Sequence, residues 1–282
     1  MNLIFYIIII LFFSCGNNSK DNSPSSRISD TKIITQQNDT IIIFESGDNS
    51  ICRKGIFISP EKDSLLFRIL IPNSNDTNKY YPLVLFFHGA GERGNDNEKQ
   101  LIHGSKLFDN AIVREKYESF VLFPQCPEDS RWVDVDWTLD NHIMPETPTI
   151  QLNLSIQLLN KLIKSYKLDT NSLYVMGLSM GGFGTWDMIC RYPEKFAAAI
   201  PICGGGDENQ VSKIKNISVW AFHGKKDKIV KVSRSRNMIN AIKNEGGNPK
   251  YTEYENTGHN AWDKAFQEPG LLEWLFIQKK SN

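Results

Sequence analysis

Residues 173–182 read as a strand, a sharp turn and the start of a helix, with a serine at the turn. Residues 173–176 form a short apolar run, which is typical of a fully buried parallel strand. Gly177 and Gly181 stand two residues to either side of Ser179, in the pattern G-x-S-x-G. A side chain at either glycine would crowd the backbone of such a turn, from which the serine hydroxyl projects above the sheet. The segment therefore predicts a serine nucleophile.

Two further polar residues follow predicted strands downstream of this serine. Asp227 comes after the apolar run 218–222, and His259 comes after Lys250–Tyr254. Loops at the carboxyl ends of parallel strands meet at one edge of a sheet, so we expect both side chains to reach Ser179. The chain order serine, aspartate, histidine is that of the α/β-hydrolase fold, not of chymotrypsin or subtilisin. We predict Ser179 as nucleophile, His259 as base and Asp227 as the acid that orients it.

The acid position has one competitor. Asp207 also follows a predicted strand, residues 197–202, and ends the run Cys-Gly-Gly-Gly-Asp at 203–207. Consecutive glycines are typical of a tight turn, which is the simpler explanation of this run. We therefore favour Asp227 as the acid and keep Asp207 as the alternative, because both carboxylates follow predicted strands.

The loop after the predicted central strand Tyr81–Phe87 is rich in glycine. It reads His-Gly-Ala-Gly-Glu-Arg-Gly over residues 88–94. Glycine lets the backbone approach a ligand closely, and a loop in this position donates one N–H of an oxyanion hole. We predict the backbone N–H groups of Ala90 and Met180 as the donors, with Gly91 as the alternative to Ala90. The N–H of Met180 opens the helix and lies at the positive end of its dipole.

Two residues are candidates for contact with the substrate. The segment 131–137 lies between a predicted strand and a long helix, which puts Trp137 near the catalytic edge. Its ring would either stack on a sugar or an aromatic acyl group, or pack the loop onto the core, and both roles stay open. His88 is the second candidate. It could also serve as a second base, although shaping its loop is the simpler role because His259 already supplies the base.

Charge and cysteine content limit the partners. The chain has 32 Lys and Arg against 32 Asp and Glu, a formal net charge of zero. This balance argues against nucleic acid or an anionic membrane as the main partner and favours an uncharged small-molecule or glycan ester. The Cys and His residues lack zinc-like spacing, so we expect no metal, and a serine mechanism implies no cofactor. Four cysteines are expected mostly as free thiols: Cys52, Cys126, Cys190 and Cys203.

The amino-terminal segment resembles a bacterial lipoprotein signal. Residues 3–13 are an apolar run of about 11 residues, too short for a comfortable membrane span and suitable for a signal core. Cys15 follows, and lipidation there would anchor an exported protein to the cell envelope. We therefore predict a signal over 1–15, a disordered polar tether over 16–40 and a catalytic domain over 41–282. An ordinary cleaved signal or an uncleaved anchor is the alternative.

Strands and helices alternate along the rest of the chain. This alternation predicts an α/β fold with a mostly parallel central sheet, helices on both faces and leading antiparallel strands. Further predicted strands are Ile41–Phe44, 55–59, 65–71 and 120–123, and predicted helices are 149–166, 183–192, Ser233–Asn244 and 271–278.

These motifs together resemble α/β-hydrolase esterases related to carbohydrate esterases of the feruloyl and acetylxylan types, to bacterial polyester depolymerases and to proteins described as predicted peptidases. The matching segments are 88–94, 124–127, 132–137, 177–182, 201–207, 223–227 and 258–263. The resemblance implies a serine hydrolase of carboxylic esters, in particular carbohydrate-linked ones. A serine peptidase of the same fold and a non-catalytic binding lipoprotein are the alternatives.

Overall fold

A mixed sheet runs through the part of the chain that the structure, a computed structural model, describes: residues 33–35, 40–47, 50–74, 76 and 78–280. Its strands within these ranges are β1 (Ile33–Thr35), β2 (Ile41–Phe44), β3 (Cys52–Ile58), β4 (Ser64–Leu70), β5 (Tyr81–Phe87), β6 (Phe120–Gln125), β7 (Leu168–Leu178), β8 (Ala198–Ile202), β9 (Ser218–Gly224) and β10 (Lys250–Tyr254). They lie side by side in the order β1-β2-β3-β4-β6-β5-β7-β8-β9-β10.

The sheet has a parallel part and an antiparallel part. Strands β6, β5, β7, β8, β9 and β10 pair in parallel. Strands β1 to β4 pair antiparallel with one another, and β4 pairs antiparallel with β6. Every residue of β8 is buried, as expected for a parallel strand covered on both faces. The predicted mostly parallel sheet with leading antiparallel strands is therefore confirmed.

Helices cover both faces of this sheet. They are α1 (Ser105–Phe108), α2 (Ala111–Lys116), α3 (Ile150–Ser165), α4 (Met180–Arg191), α5 (Ser233–Asn244), α6 (Trp262–Ala265) and α7 (Leu271–Ile277). Alternate residues of β5 divide between two apolar clusters, with Leu83, Leu85 and Phe87 on one face and Val84 and Phe86 on the other. The first cluster includes residues of α3, α4 and α5, and the second includes residues of α1, α6 and α7.

The order of strands reverses next to β5. The chain passes from β5 to β6 on one side and then to β7 on the other side of β5. Open parallel sheets form their ligand-binding crevice at such a reversal, outside the carboxyl ends of the strands. The loops after β5 and β7 carry the predicted oxyanion segment and Ser179, so both lie at this point of the sheet.

Some strand and helix boundaries agree with the predicted ones and others differ. The strands Ile41–Phe44, Tyr81–Phe87 and Lys250–Tyr254 and the helix Ser233–Asn244 have the predicted bounds. Strand β7 begins at Leu168, earlier than the predicted residue 173. It includes two exposed polar residues near its start, Thr170 and Asn171. These polar residues interrupt the apolar run, so hydrophobic pattern alone did not include them in the strand.

Most of the predicted leader and tether lies outside the described residues. This applies to the whole signal, 1–15, and therefore to Cys15. Within the predicted tether, 16–40, the residues Ile33–Thr35 form β1, which pairs with β2. Regular structure thus begins before the predicted domain start at residue 41. No helix within the described ranges combines the length and apolar character that crossing a membrane requires.

Candidate active site

Ser179 sits on a strained turn between β7 and α4. Its backbone has φ 54° and ψ −118°, a conformation that side-chain-bearing residues rarely adopt. A Cβ on Gly181 would lie 2.0 Å from the carbonyl oxygen of Phe87, and one on Gly177 would lie 2.5 Å from the Gly181 oxygen. The N–H of Ser179 donates to Ile202 O at 2.8 Å. Close backbone packing therefore fixes the turn, and glycine is required at both flanking positions.

Three predicted site residues form one hydrogen-bonded chain. Ser179 Oγ lies 2.7 Å from His259 Nε2, and His259 Nδ1 lies 2.7 Å from Asp227 Oδ2. A carboxylate only accepts, so Nδ1–H donates to Asp227 and Nε2 accepts from the serine hydroxyl. The Asp227 side chain is fully buried, whereas 20% of the His259 side chain is exposed. This arrangement leaves the serine hydroxyl beside a ring nitrogen that can take its proton.

The loops after β9 and β10 pack directly against each other. A Cβ on Gly224 would lie 2.1 Å from the carbonyl oxygen of Gly258. The N–H of Lys226 donates to Thr257 O at 2.9 Å. The absence of a side chain at residue 224 thus allows the loop carrying Asp227 to contact the loop carrying the histidine.

Asp227 is held by four donors. Its Oδ1 accepts the N–H groups of Ile229 and Val230 at 2.8 and 3.0 Å, and its Oδ2 lies 3.2 Å from His223 Nε2 as well as near His259. Burial by itself would raise the pKa of this carboxyl. The hydrogen bonds from His223, His259 and the two backbone groups outweigh burial and hold the pKa below its usual range. Asp227 therefore stays ionised beside the histidine.

Asp207, the alternative acid, has a different place. It caps a short 3-10 helix, Glu208–Lys213, and its Oδ1 accepts the N–H of Asn209 at 3.0 Å. Its Oδ2 accepts the N–H of Met144 at 2.9 Å. The structure thus brings Asp227 to the histidine, while Asp207 fastens the loop that precedes α3.

The predicted oxyanion donors lie at the first residues of two helical turns. Ala90 begins the 3-10 helix Ala90–Glu92, and Met180 begins α4. Among the hydrogen bonds of the described residues, none has the backbone N–H of Ala90, Gly91 or Met180 as its donor. Each of these N–H groups is therefore free to donate to a ligand.

The structure favours the loop-shaping role of His88 over a substrate contact. The residue is 1% exposed, its Nδ1–H donates to Gly89 O at 2.6 Å, and its Nε2 accepts the N–H of Cys126 at 2.9 Å. Burial lowers the pKa of His88 to about 4, so the ring is neutral. The Trp132 indole donates to His88 O at 3.0 Å. His88 shapes the glycine-rich loop, because both of its ring nitrogens are already bonded to backbone.

Trp137 is half-buried and packs against the apolar cluster that includes residues of α3, α4 and α5. The Arg131 guanidinium lies 5.7 Å from the centre of its ring. Its indole Nε1 is buried and has no hydrogen-bond partner among the described residues. These contacts fit a packing role and leave part of the ring exposed, so a substrate contact stays a prediction.

Two residues near the acid received no role from the sequence. His223 is the penultimate residue of β9, four residues before Asp227, and both of its ring nitrogens have partners. Cys203 has φ 49° and is fully buried, and burial raises the pKa of its thiol to about 12. Cys203, His223 and Asp227 bring one potential metal-ligand atom each within 4.8 Å of one another. Sequence spacing did not reveal this group, because Cys203 follows β8, His223 lies in β9 and Asp227 follows β9.

All four cysteines in the described part of the chain are buried. They are Cys52, Cys126, Cys190 and Cys203. Burial raises the pKa of the thiols of Cys126 and Cys190 to about 12, as it does for Cys203. These thiols stay protonated at neutral pH, and in that state they are poor nucleophiles.

The sheet order, the strained serine turn and the hydrogen-bonded serine, histidine and aspartate define an α/β-hydrolase. The chain belongs to the phospholipase/carboxylesterase family, whose model matches residues 73–269. A solved thermostable esterase is 33% identical, with a TM-score of 0.76, and the match covers 88% of this chain and 76% of that one. These similarities confirm the predicted relation to esterases.

Two curated relatives are also similar. The bifunctional acetylxylan esterase/xylanase XynS20E of Neocallimastix patriciarum is 26% identical over 163 residues, which is 57% of this chain and 20% of that protein. An uncharacterized secreted protein of Arthroderma benhamiae is 25% identical over 230 residues, which is 67% of this chain and 22% of that protein. The chain therefore spans about a fifth of the length of the curated relatives it matches.

A solved ferulic acid esterase shares the fold. It is 16% identical with a TM-score of 0.56, and the match covers 76% of this chain and 94% of that one. Acylaminoacyl peptidase from Pyrococcus horikoshii, 11% identical with a TM-score of 0.56, shares it too, over 86% of this chain and 48% of that one. At these identities the similarity concerns the fold alone, which is common to esterases and peptidases.

Proposed function

We propose that the protein is a serine hydrolase that cleaves carboxylic esters through an acyl-enzyme. The observation that carries this proposal is the continuous chain of hydrogen bonds from Ser179 through His259 to Asp227, with 2.7 Å at both steps. The same three groups in the same order activate the serine of other hydrolases. Membership of a carboxylesterase family supports the choice of esters.

In this mechanism, Ser179 Oγ attacks the ester carbonyl carbon while His259 Nε2 takes the hydroxyl proton. The carbonyl π electrons move to oxygen, and the resulting oxyanion accepts the N–H groups of Ala90 and Met180. Asp227 stays ionised, holds the Nδ1–H tautomer of His259 and stabilises the imidazolium. When the tetrahedral intermediate collapses, His259 gives its proton to the leaving alcohol.

The second half of the cycle uses the same groups with water as the nucleophile. His259 takes a proton from water, and the hydroxide oxygen bonds to the acyl carbon. The ester bond to Ser179 breaks, and the serine oxygen recovers the proton from His259. The products are a carboxylic acid and the regenerated enzyme. The role of oxyanion donor for Ala90 and Met180 is supported by their unpartnered N–H groups.

A carbohydrate-linked ester is the substrate that we propose. The similarity to an acetylxylan esterase/xylanase and the formal net charge of zero support an uncharged glycan ester. Trp137, near the loop that Asp207 fastens, is the candidate for stacking on the sugar ring or the acyl group. A panel of acetyl, feruloyl and longer acyl esters of sugars, with a peptide amide beside them, tests this class. Faster turnover of the amide would indicate a peptidase instead.

We also propose that the protein is exported and anchored to the cell envelope by a lipid on Cys15. The apolar run before Cys15 and the polar stretch after it support a lipoprotein signal, and one relative is described as secreted. Cys15→Ala should release the protein from the membrane fraction or stop its maturation. Unchanged detergent partitioning of this variant would indicate an uncleaved apolar leader.

Labelling by a fluorophosphonate probe tests the nucleophile directly. Wild-type protein should be labelled, and Ser179→Ala should lose both labelling and about 10⁴-fold or more of kcat. The matched control is Ser155→Ala, since the hydroxyl of this buried serine of α3 donates to Gln151 O of the same helix at 2.8 Å. The control should label like the wild type. Labelling of Ser179→Ala at the wild-type rate would refute the assignment.

A further inference from the structure

A second histidine lies against the acid of the proposed triad. His223 is 0% exposed and comes from the end of β9, whereas His259 follows β10. Its Nε2 lies 3.2 Å from Asp227 Oδ2, the same oxygen that is 2.7 Å from His259 Nδ1. Two imidazoles therefore share one carboxylate oxygen, one of them buried and the other partly open to the site.

The surroundings of His223 determine where its proton lies. Its Nε2 faces Val230 O at 3.0 Å and Asp227 Oδ2 at 3.2 Å, and both oxygens only accept. This nitrogen must therefore carry a hydrogen, because otherwise three buried acceptors would face one another without a proton.

The other ring nitrogen tolerates both charge states. Nδ1 of His223 lies 2.8 Å from Ser235 Oγ, and this hydroxyl lies 3.0 Å from Gly204 O. In the neutral ring the serine donates to Nδ1. In the charged ring Nδ1–H donates to the serine, which donates to Gly204 O. The Nε2–H toward Asp227 is present in either case, so its contact does not depend on the charge of His223.

We infer that His223 is a positioning residue whose Nε2–H holds Asp227 Oδ2 in the orientation that His259 requires. The inference rests on the proposed function of the triad. The N–H groups of Ile229 and Val230 fix Oδ1, and the two imidazoles together fix Oδ2. Without His223, the buried Oδ2 has one ring donor instead of two, and the carboxylate is free to rotate about its bond to Cβ.

A lost donor also changes the charge that His259 experiences. The titratable groups around the Asp227 carboxylate are His259, His223 and the thiol of Cys203. Removing the N–H of His223 concentrates the negative charge on Oδ2 toward His259 and favours its protonated form. The acidic limb of the kcat/KM profile should therefore move to higher pH.

Two substitutions separate this role from simple packing. In His223→Gln the amide nitrogen reaches about the position of Nε2, so a donor toward Asp227 is retained. In His223→Asn the amide nitrogen takes about the position of Nδ1, so the donor toward Asp227 is lost. Leu158→Ala, in the fully buried face of α3, is a control for lowered stability outside the loop that carries Asp227.

We expect His223→Asn to lower kcat/KM for p-nitrophenyl acetate about tenfold or more, as supporting groups around active-site ligands do. Its acidic limb should move up by about half a pH unit or more. His223→Gln should recover most of both losses, and Leu158→Ala should lower Tm without moving the limb. Equal losses in the Asn and Gln variants, or an unmoved limb in His223→Asn, would overturn the inference.

Nitrogen NMR of the wild-type protein provides a measurement that needs no variant to fold. With ¹⁵N-labelled histidine, Nε2 of His223 should show the shift of a protonated nitrogen throughout the pH range of activity. An unprotonated Nε2 would refute the inference. Because this readout needs no turnover, it stands even if fluorophosphonate labelling shows that Ser179 is not a nucleophile, in which case only the proposed function fails.

Discussion

The serine turn and the acid and base loops reach the same edge of the sheet by different means. Backbone packing holds the turn: Ser179 has φ 54° without a side-chain cap, and Gly181 has room only for hydrogen beside Phe87 O. Side-chain contacts hold the loops, where Asp227 Oδ2 accepts from His259 at 2.7 Å and lies 3.2 Å from Nε2 of His223. The position of Ser179 thus depends on the volume available at the turn, and the orientation of His259 depends on hydrogen-bond partners.

This difference predicts two kinds of failure. Added volume at the turn should destabilise the whole fold, because the neighbouring backbone belongs to central strands. A lost donor in the loops should leave the fold largely intact and remove activity, because the carboxylate then no longer fixes the tautomer of the histidine.

The largest effect should come from the loops. Asp227→Asn should lower kcat by about 10³-fold or more, because an amide nitrogen toward Nδ1 favours the wrong tautomer of His259. Asp207→Asn should keep kcat within about tenfold, since Asp207 bonds the backbone of Met144 and Asn209 instead. Steady-state kinetics of both purified variants provide the measurement. A larger loss in Asp207→Asn would refute the assignment of the acid.

At the turn, Gly181→Ala should lower the free energy of unfolding by about 3 kcal/mol. The new methyl group would lie 2.0 Å from Phe87 O, which belongs to the backbone of the central strand β5 and cannot move aside without disturbing the sheet. Gly91→Ala is the matched control for stability, since a Cβ there meets nothing within 4 Å. Urea unfolding of both variants measures the difference. Equal stability would mean that the turn is not fixed by volume.

Acid should weaken the glycine-rich loop next to the turn. The pKa of His88 is lowered from 6.5 to about 4, chiefly by burial. Between these values the unfolded chain binds a proton that the folded chain does not, so the free energy of unfolding falls as the pH falls from 6.5 to about 4. One such group contributes at most about 1.4 kcal/mol per pH unit.

Urea unfolding across this pH range provides the measurement, with His88→Gln as the comparison. The variant should show a shallower pH dependence than the wild type. Some dependence should remain, because burial and the nearby Arg234 also lower the pKa of His142 to about 4. Identical slopes for the two proteins would show that His88 does not resist protonation in the folded state.

The smallest effect should come from Trp137, which belongs to neither region. Trp137→Ala should lower kcat/KM for a sugar-linked ester about tenfold, since aromatic stacking contributes roughly 1–3 kcal/mol. Turnover of p-nitrophenyl acetate should stay within about twofold, because this small ester has no group for the ring to stack on. Parallel losses on both substrates would assign Trp137 a packing role alone.

The sequence was most informative where strand ends determine position. Ser179, Asp227 and His259 follow three apolar runs, and parallel strands bring their carboxyl ends to one edge whatever the loops do in detail. The structure brings these side chains together, while their catalytic roles remain predictions. Strand β1 was missed because it is three residues long and lies in a stretch of polar composition.

The sequence could not predict which side chains pair with groups far away along the chain. His88 was a candidate for substrate contact, beside the simpler role of shaping its loop. Its ring instead accepts the N–H of Cys126, 38 residues away, a pairing that no local pattern encodes. The contact of His223 with Asp227 has a local signal, the i,i+4 spacing across a strand end, but only the rotamers decide whether such residues meet.

The place of β10 at the end of the sheet order has a consequence for biosynthesis. This strand pairs only with β9 among the described strands, and the loop after it carries His259. A ribosome makes Ser179 and its turn well before it makes that loop, and folding proceeds from the amino terminus as the chain emerges. A nascent chain would therefore carry Ser179 without His259, and the hydrogen-bonded site would be assembled only after the loop that follows β10 has been made.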